Sequence, residues 1–160
     1  TESKQKFQNL EKTPQKFNMS GKITENHRIV TSVSSFKPCQ ITVKNKIFFS
    51  VIKIQNGVLY HWVHFYGSPI EAKNYSYTLE YYNDTKTPKV TCTFTDQVVS
   101  IDETADSIIE NGNCFTIFRK AFENKFLQKN DVFKFSVKIR NLKEEVKDEN
   151  VESGVSDVDE

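Results

Sequence analysis

His61 and His64 are the only two histidines that lie close together, and in another setting such a pair could hold a metal ion or pass a proton. Their spacing argues against both. Strand residues three positions apart point to opposite faces of a sheet. With Trp62 and Phe65 beside them, they are expected to pack within a half-buried strand. Asp102, Glu103 and Asp106 form a small acidic cluster. A calcium ion needs about six or more oxygens and a turn glycine. No glycine falls inside this cluster, so a solvated loop is expected. Cys39, Cys92 and Cys114 include no Cys-x-x-Cys pair, which leaves no zinc finger to expect. Their odd number argues against a disulfide framework and suits a reducing compartment. Cys92 reads as a core thiol. Cys114 has only Arg119 and Lys120 as basic neighbours, across a turn, too little to activate a nucleophile. Hydrolase, zinc-protease and phosphate-loop signatures are missing. The expectation is a chain with no catalytic residues, no metal and no cofactor of its own.

The elements are mostly strands. Ile41 and Val43 alternate with Gln40, Thr42 and Lys44, next to Pro38, the pattern of an edge strand. Ile47 to Ile54 is a nearly continuous apolar run, then Asn56-Gly57, then Val58 to Tyr66. Asn-Gly between two such runs predicts a tight hairpin, because both turn residues must tolerate positive φ. Tyr75, Tyr77, Leu79 and Tyr81 alternate with polar residues, as do Val90, Cys92 and Phe94, and again Phe133, Phe135, Val137 and Ile139. Each strand is expected to have one dry and one wet face. Phe118, Phe122 and Phe126, four apart, predict one amphipathic helix of two to three turns. The fold class is therefore all-β, an antiparallel β-sandwich with one short helix.

Three regions divide the chain. Residues 1–20 are polar and rich in Lys and Gln, and are expected to form a flexible leader. Residues 21–142 form the domain. Residues 143–160 carry eight acids against two lysines, and composition predicts a disordered acidic tail. Within it Ser156, followed by Asp157 and Asp159, is a candidate phosphorylation site for an acid-directed kinase. The rest is mildly basic but lacks an arginine stripe with interleaved aromatics, so nucleic acid is not an expected partner. No apolar stretch approaches the ~18 residues of a membrane span, so no membrane partner is expected. Three Asn-x-Ser/Thr sequons, at Asn18, Asn74 and Asn83, would imply secretion if used; chance is the expected explanation. The first residue is Thr, which predicts a processed product or a piece of something longer.

From Ile47 to Leu142 the sequence resembles the C-terminal substrate-binding domain of the seven-in-absentia (Sina/Siah) family, which has the TRAF-like fold. Tyr66-Gly67-Ser68-Pro69-Ile70-Glu71-Ala72-Lys73-Asn74-Tyr75-Ser76-Tyr77-Thr78-Leu79-Glu80 carries most of it. Ser100-Ile101-Asp102-Glu103, Asn111-Gly112-Asn113-Cys114-Phe115, the phenylalanine helix and Asn130 to Ile139 follow in the same order. Members of that family are RING-type E3 ubiquitin ligases. The resemblance implies a domain that dimerises and recognises protein substrates through degron peptides in the cytoplasm or nucleus. The E2 and zinc would belong to N-terminal RING and finger modules, which these residues do not include. Ser136 falls about where the family has a peptide-contacting Asn. With the sheet edge, this makes Gln40, Ile41, Thr42, Val43, Lys44 and Ser136 the candidate peptide-binding residues. The alternative is a TRAF-like scaffold or adaptor without ligase activity.

Overall fold

The chain is described as a computed structural model, which covers residues 16–17, 23–30, 38–129 and 132–144. Among the described residues two sheets face each other, antiparallel but for one short parallel pair. The first has the order β1 (Lys16–Phe17), β2 (Ile23–Val30), β10 (Val132–Asn141), β6 (Tyr75–Asn83) and β7 (Val90–Gln97). The second has the order β3 (Cys39–Val43), β4 (Lys46–Gln55), β5 (Val58–Phe65) and β8 (Val99–Ser100). A further strand, β9 (Phe115–Phe118), pairs antiparallel with β5, while β8 joins β5 in parallel. The chain is thus the β-sandwich that the strand alternation predicts.

Alternation decides the core. Tyr77, Leu79 and Tyr81 of β6 and Phe133, Phe135, Val137 and Ile139 of β10 point inward from the first sheet. Ile41, Val43, Phe48, Ile52, Leu59, Val63 and Phe65 meet them from the second. The Asn56-Gly57 turn joins β4 to β5 with φ of 51° and 73°, as the hairpin signal requires. A second two-residue turn, Lys44-Asn45, joins β3 to β4, with φ of 44° and 63°.

β5 departs from simple alternation and is nearly all buried. The reason lies on the other face of the second sheet. There Trp62 packs with Val99, Ile108 and Cys114 in a separate apolar cluster. Its roof includes α2 (Ala105–Glu110). A strand covered on both faces reads as a continuous apolar run.

Where one helix is expected, the described residues include α1 (Pro69–Ala72) and α2 as well as α3 (Arg119–Phe126). Ser68 caps α1 by accepting from Glu71 N at 3.2 Å, and Thr104 caps α2 by accepting from Ser107 N at 3.2 Å. The phenylalanine stripe is also shorter than its spacing predicts. Phe122 and Phe126 are buried, but Phe118 closes β9 and is 73% exposed. Gly67 is needed for space rather than for a positive φ: a Cβ there would run into the ring of buried Phe65.

Of the predicted leader, β1 is described; most of the predicted acidic tail, with Ser156, lies outside the described residues.

Candidate functional site

The open edge of the second sheet is the candidate site. β3 pairs with β4 and, among the described residues, with no other strand. Pro38, which has no N–H to offer, stands at its start. The Lys44-Asn45 turn fixes Val43 opposite Lys46. In a two-residue hairpin such a pair is hydrogen-bonded, and bonded pairs then alternate along the ladder. Ile41 opposite Phe48 and Cys39 opposite Ser50 are the next bonded pairs. It follows that the N–H and C=O groups of Gln40 and Thr42 face outward, away from β4.

Side chains divide the same way. Ile41 and Val43 are 1% and 7% exposed and belong to the core, and their main-chain groups face β4, so the outward hydrogen-bonding groups of the edge are those of Gln40 and Thr42. Gln40, Thr42 and Lys44 are exposed. Gln40 stands opposite Phe49, whose ring meets Tyr66 edge-on at 6.4 Å. Tyr66 is 63% exposed. The edge is thus flanked by an aromatic pair on the outer face of the sheet, a feature that edge-strand reasoning alone does not reveal. Tyr66 sits one residue before Gly67 in the stretch that carries the family resemblance, and that position was its only sequence signal.

Ser136 stands apart from this edge. It lies on β10 in the middle of the first sheet, opposite Asn26 of β2 and Glu80 of β6, and only 6% exposed. Its neighbours Phe135 and Val137 point into the core, so Ser136 faces outward. The structure brings Gln40 to Lys44 together and places Ser136 on the other sheet.

His61 and His64 lie on opposite faces of β5, as their spacing predicts. His61 is wholly buried in the main core. Its Nε2 is 2.7 Å from Ser50 Oγ, and its Nδ1 meets the Tyr81 hydroxyl. A neutral imidazole has one donor and one acceptor nitrogen, and two hydroxyls satisfy either tautomer. Among the described residues no group of three or more His, Cys, Asp or Glu side chains could hold a metal ion. Burial raises the pKa of the Cys92 and Cys114 thiols, which works against thiolate formation. Asn83 is buried, with Nδ2 donating to Lys125 O and Oδ1 accepting from Thr85. A glycan could not be attached to this amide nitrogen without dismantling that contact.

His64 packs edge-on against Trp62 on the outer face and donates from Nδ1 to Ser100 O at 3.2 Å. Burial lowers its pKa from the ordinary 6.5, against smaller opposing effects of the Ser100 and Val99 carbonyls and Glu103. The unfolded chain therefore binds more protons than the native one as pH falls through the region below about 6.5, and stability falls with it. The thermal midpoint is expected to be lower at pH 5 than at pH 7.5, and His64→Gln to flatten this slope. An identical slope in the variant would remove His64 as its source.

Two packed, mostly antiparallel sheets define a β-sandwich, and among the described residues one of them leaves β3 as an open edge. The profile described as "Sina, TRAF-like domain" matches residues 41–139, and the chain belongs to that family. A search of curated proteins gives no match.

Proposed function

We propose that this domain is the substrate-recognition part of a RING-type E3 ubiquitin ligase and binds extended segments of its substrates as an added strand on β3. Membership of the Sina TRAF-like family supports the ligase setting. The observation that carries the binding mode is the outward main chain of Gln40 and Thr42 beside Phe49 and Tyr66. Main-chain hydrogen bonds give such a contact its affinity, and the side chains around the edge give it selectivity. In this reading the domain works as a homodimer in the cytoplasm or nucleus, and modules outside these residues carry zinc and recruit the E2.

The test is a random peptide library selected on the full chain and on Thr42→Pro. Proline at 42 removes an outward donor and leaves the β3–β4 hydrogen bonds in place, as edge strands tolerate. The variant is expected to keep its thermal midpoint within a few degrees and to lose roughly tenfold in affinity, about 1.4 kcal/mol. Selected peptides that bind both proteins equally would rule out the β3 edge. A selection that yields no saturable binder would remove the recognition function itself.

A further inference from the structure

β7 is an open edge of the first sheet: it pairs with β6 and, among the described residues, with no other strand. Two bonds just beyond the ladders fix which way its main chain faces. Leu142 N donates to Asn74 O at 2.8 Å, in register with the β10–β6 ladder. Bonded pairs alternate along an antiparallel ladder, so the even-numbered residues of β6 bond to β10 and the odd-numbered ones, from Tyr77 to Asn83, bond to β7. Val98 N donates to Tyr75 O at 3.2 Å, which gives the same phase. The N–H and C=O groups of Thr91, Thr93, Thr95 and Gln97 therefore face away from β6. The Gln97 N–H is already taken by Asp96 Oδ1 at 2.7 Å. That leaves Thr91, Thr93 and Thr95 as outward donors, evenly spaced about Thr93.

We propose that this edge pairs with β7 of a second copy of the chain, antiparallel about a two-fold axis at Thr93. Thr93 then stands opposite Thr93 of the second copy and Thr91 opposite its Thr95, each pair exchanging two main-chain hydrogen bonds. The first sheets of the two copies become one continuous sheet. The proposal rests on the homodimer reading and names its surface. Both faces of the strand fit. Outside, the exposed threonines meet threonines, a favourable cross-strand pair. Inside, Val90, Cys92 and Phe94 are only half-buried, whereas Tyr77, Leu79 and Tyr81 of β6 are buried. Phe94 packs against Tyr77 at 6.3 Å and Phe115 at 5.6 Å. A strand laid alongside covers more of this apolar surface, with Cys92 opposite Phe94 of the second copy. No side chain from Val90 to Thr95 is charged, so no like charges meet, and Asp96 falls opposite Val90. Edges that stay open carry lysine, proline or a bulge; this stretch has none, and its register with β6 is unbroken. A second β7 matches it throughout, threonine outside and apolar residues inside.

Amide hydrogen exchange of the full chain, read above and below the dissociation constant found by sedimentation, tests this. Thr91, Thr93 and Thr95 are expected to exchange roughly tenfold more slowly in the dimer. Thr93→Pro removes the donor on the axis from both copies and leaves the β6–β7 bonds in place. It is expected to weaken the dimer by roughly tenfold while the thermal midpoint stays close to that of the parent. A dimer that leaves these amides unprotected would overturn the proposal and keep the homodimer reading. A chain that stays monomeric at millimolar concentration would end both. Protection of the three amides by library peptides without self-association would also overturn it, and would give the edge to extended partner segments. The exchange measurement needs no variant, so it decides the matter even where proline unfolds the chain.

Discussion

Tyr81→Ala is expected to lower the stability of this domain by about 3–5 kcal/mol, the range for deleting a large buried aromatic. That is a large part of the roughly 5–15 kcal/mol that a native domain has in all. Tyr81 stands at the centre of an aromatic cluster. Its ring lies 5.3 Å from both Phe115 and Phe122, 5.6 Å from both Phe126 and Phe135, and 6.1 Å from Phe133. These partners come from β9, α3 and β10, so one side chain ties both sheets to the helix. Its hydroxyl also meets His61 Nδ1 in the buried pair. Tyr81→Phe separates the two contributions. It keeps the ring and takes the phenol away from His61, at a cost of about 1–3 kcal/mol. Urea unfolding of both variants measures the difference. An alanine variant that loses less than the phenylalanine one would show that the cluster does not hold the sandwich together.

Trp62→Ala is expected to have an effect of similar size, about 3–5 kcal/mol, but with a different reach. Trp62 is not part of the main core. It fills the space between the outer face of the second sheet and α2, against Val99, Ile108 and Cys114. Removing it leaves the sandwich intact and takes the floor from under α2. Amide exchange in Ala105–Glu110 should therefore rise far more than exchange in β10. Equal loss of protection in both would mean that the second cluster unfolds only with the whole domain. Trp62→Phe should cost much less, because Trp62 Nε1 is buried without a hydrogen-bond partner among the described residues. Its loss removes a donor that was contributing no bond.

Much of this architecture could be read from residue order. The hairpin at Asn56-Gly57 was legible because few residue pairs accept two positive φ angles in succession. β6, β7 and β10 were legible because each has one wet face. The edge character of Gln40 to Lys44 was legible from Pro38 and polar alternates. β2 was not, because Ile23–Val30 reads Ile-Thr-Glu-Asn-His-Arg-Ile-Val, with no apolar period. What fixes it is pairing with β10, more than a hundred residues away. α1 and α2 have four and six residues, too few for a helical period to show. Their caps were in plain sight: Ser68-Pro69-Ile70-Glu71 has the spacing of a capping box with proline at the first helical position. Phe118 was misplaced because spacing of four cannot say where a helix begins. The side-by-side placement of Phe49 and Tyr66 depends on β4–β5 register, which sequence specifies only through the whole ladder.

One feature of the first sheet matters for the order of events during synthesis. Its central strand, β10, comes last among the described strands, and it is the one that connects β2 to β6. The second sheet is built from neighbours in sequence, with hairpins β3–β4 and β4–β5, and closing such short loops is fast. A nascent chain can therefore complete β3 to β5 while β2 has only the two-residue β1 to pair with. At about 5–20 residues per second, β2 waits several seconds or more before β10 leaves the ribosome. During that interval both the edge of β2 that β10 will cover and the dry face of the β6–β7 hairpin are open to chaperones. A ribosome stalled before Val132 would hold a molecule with the open β3 edge already built and the strand that joins β2 to β6 still missing.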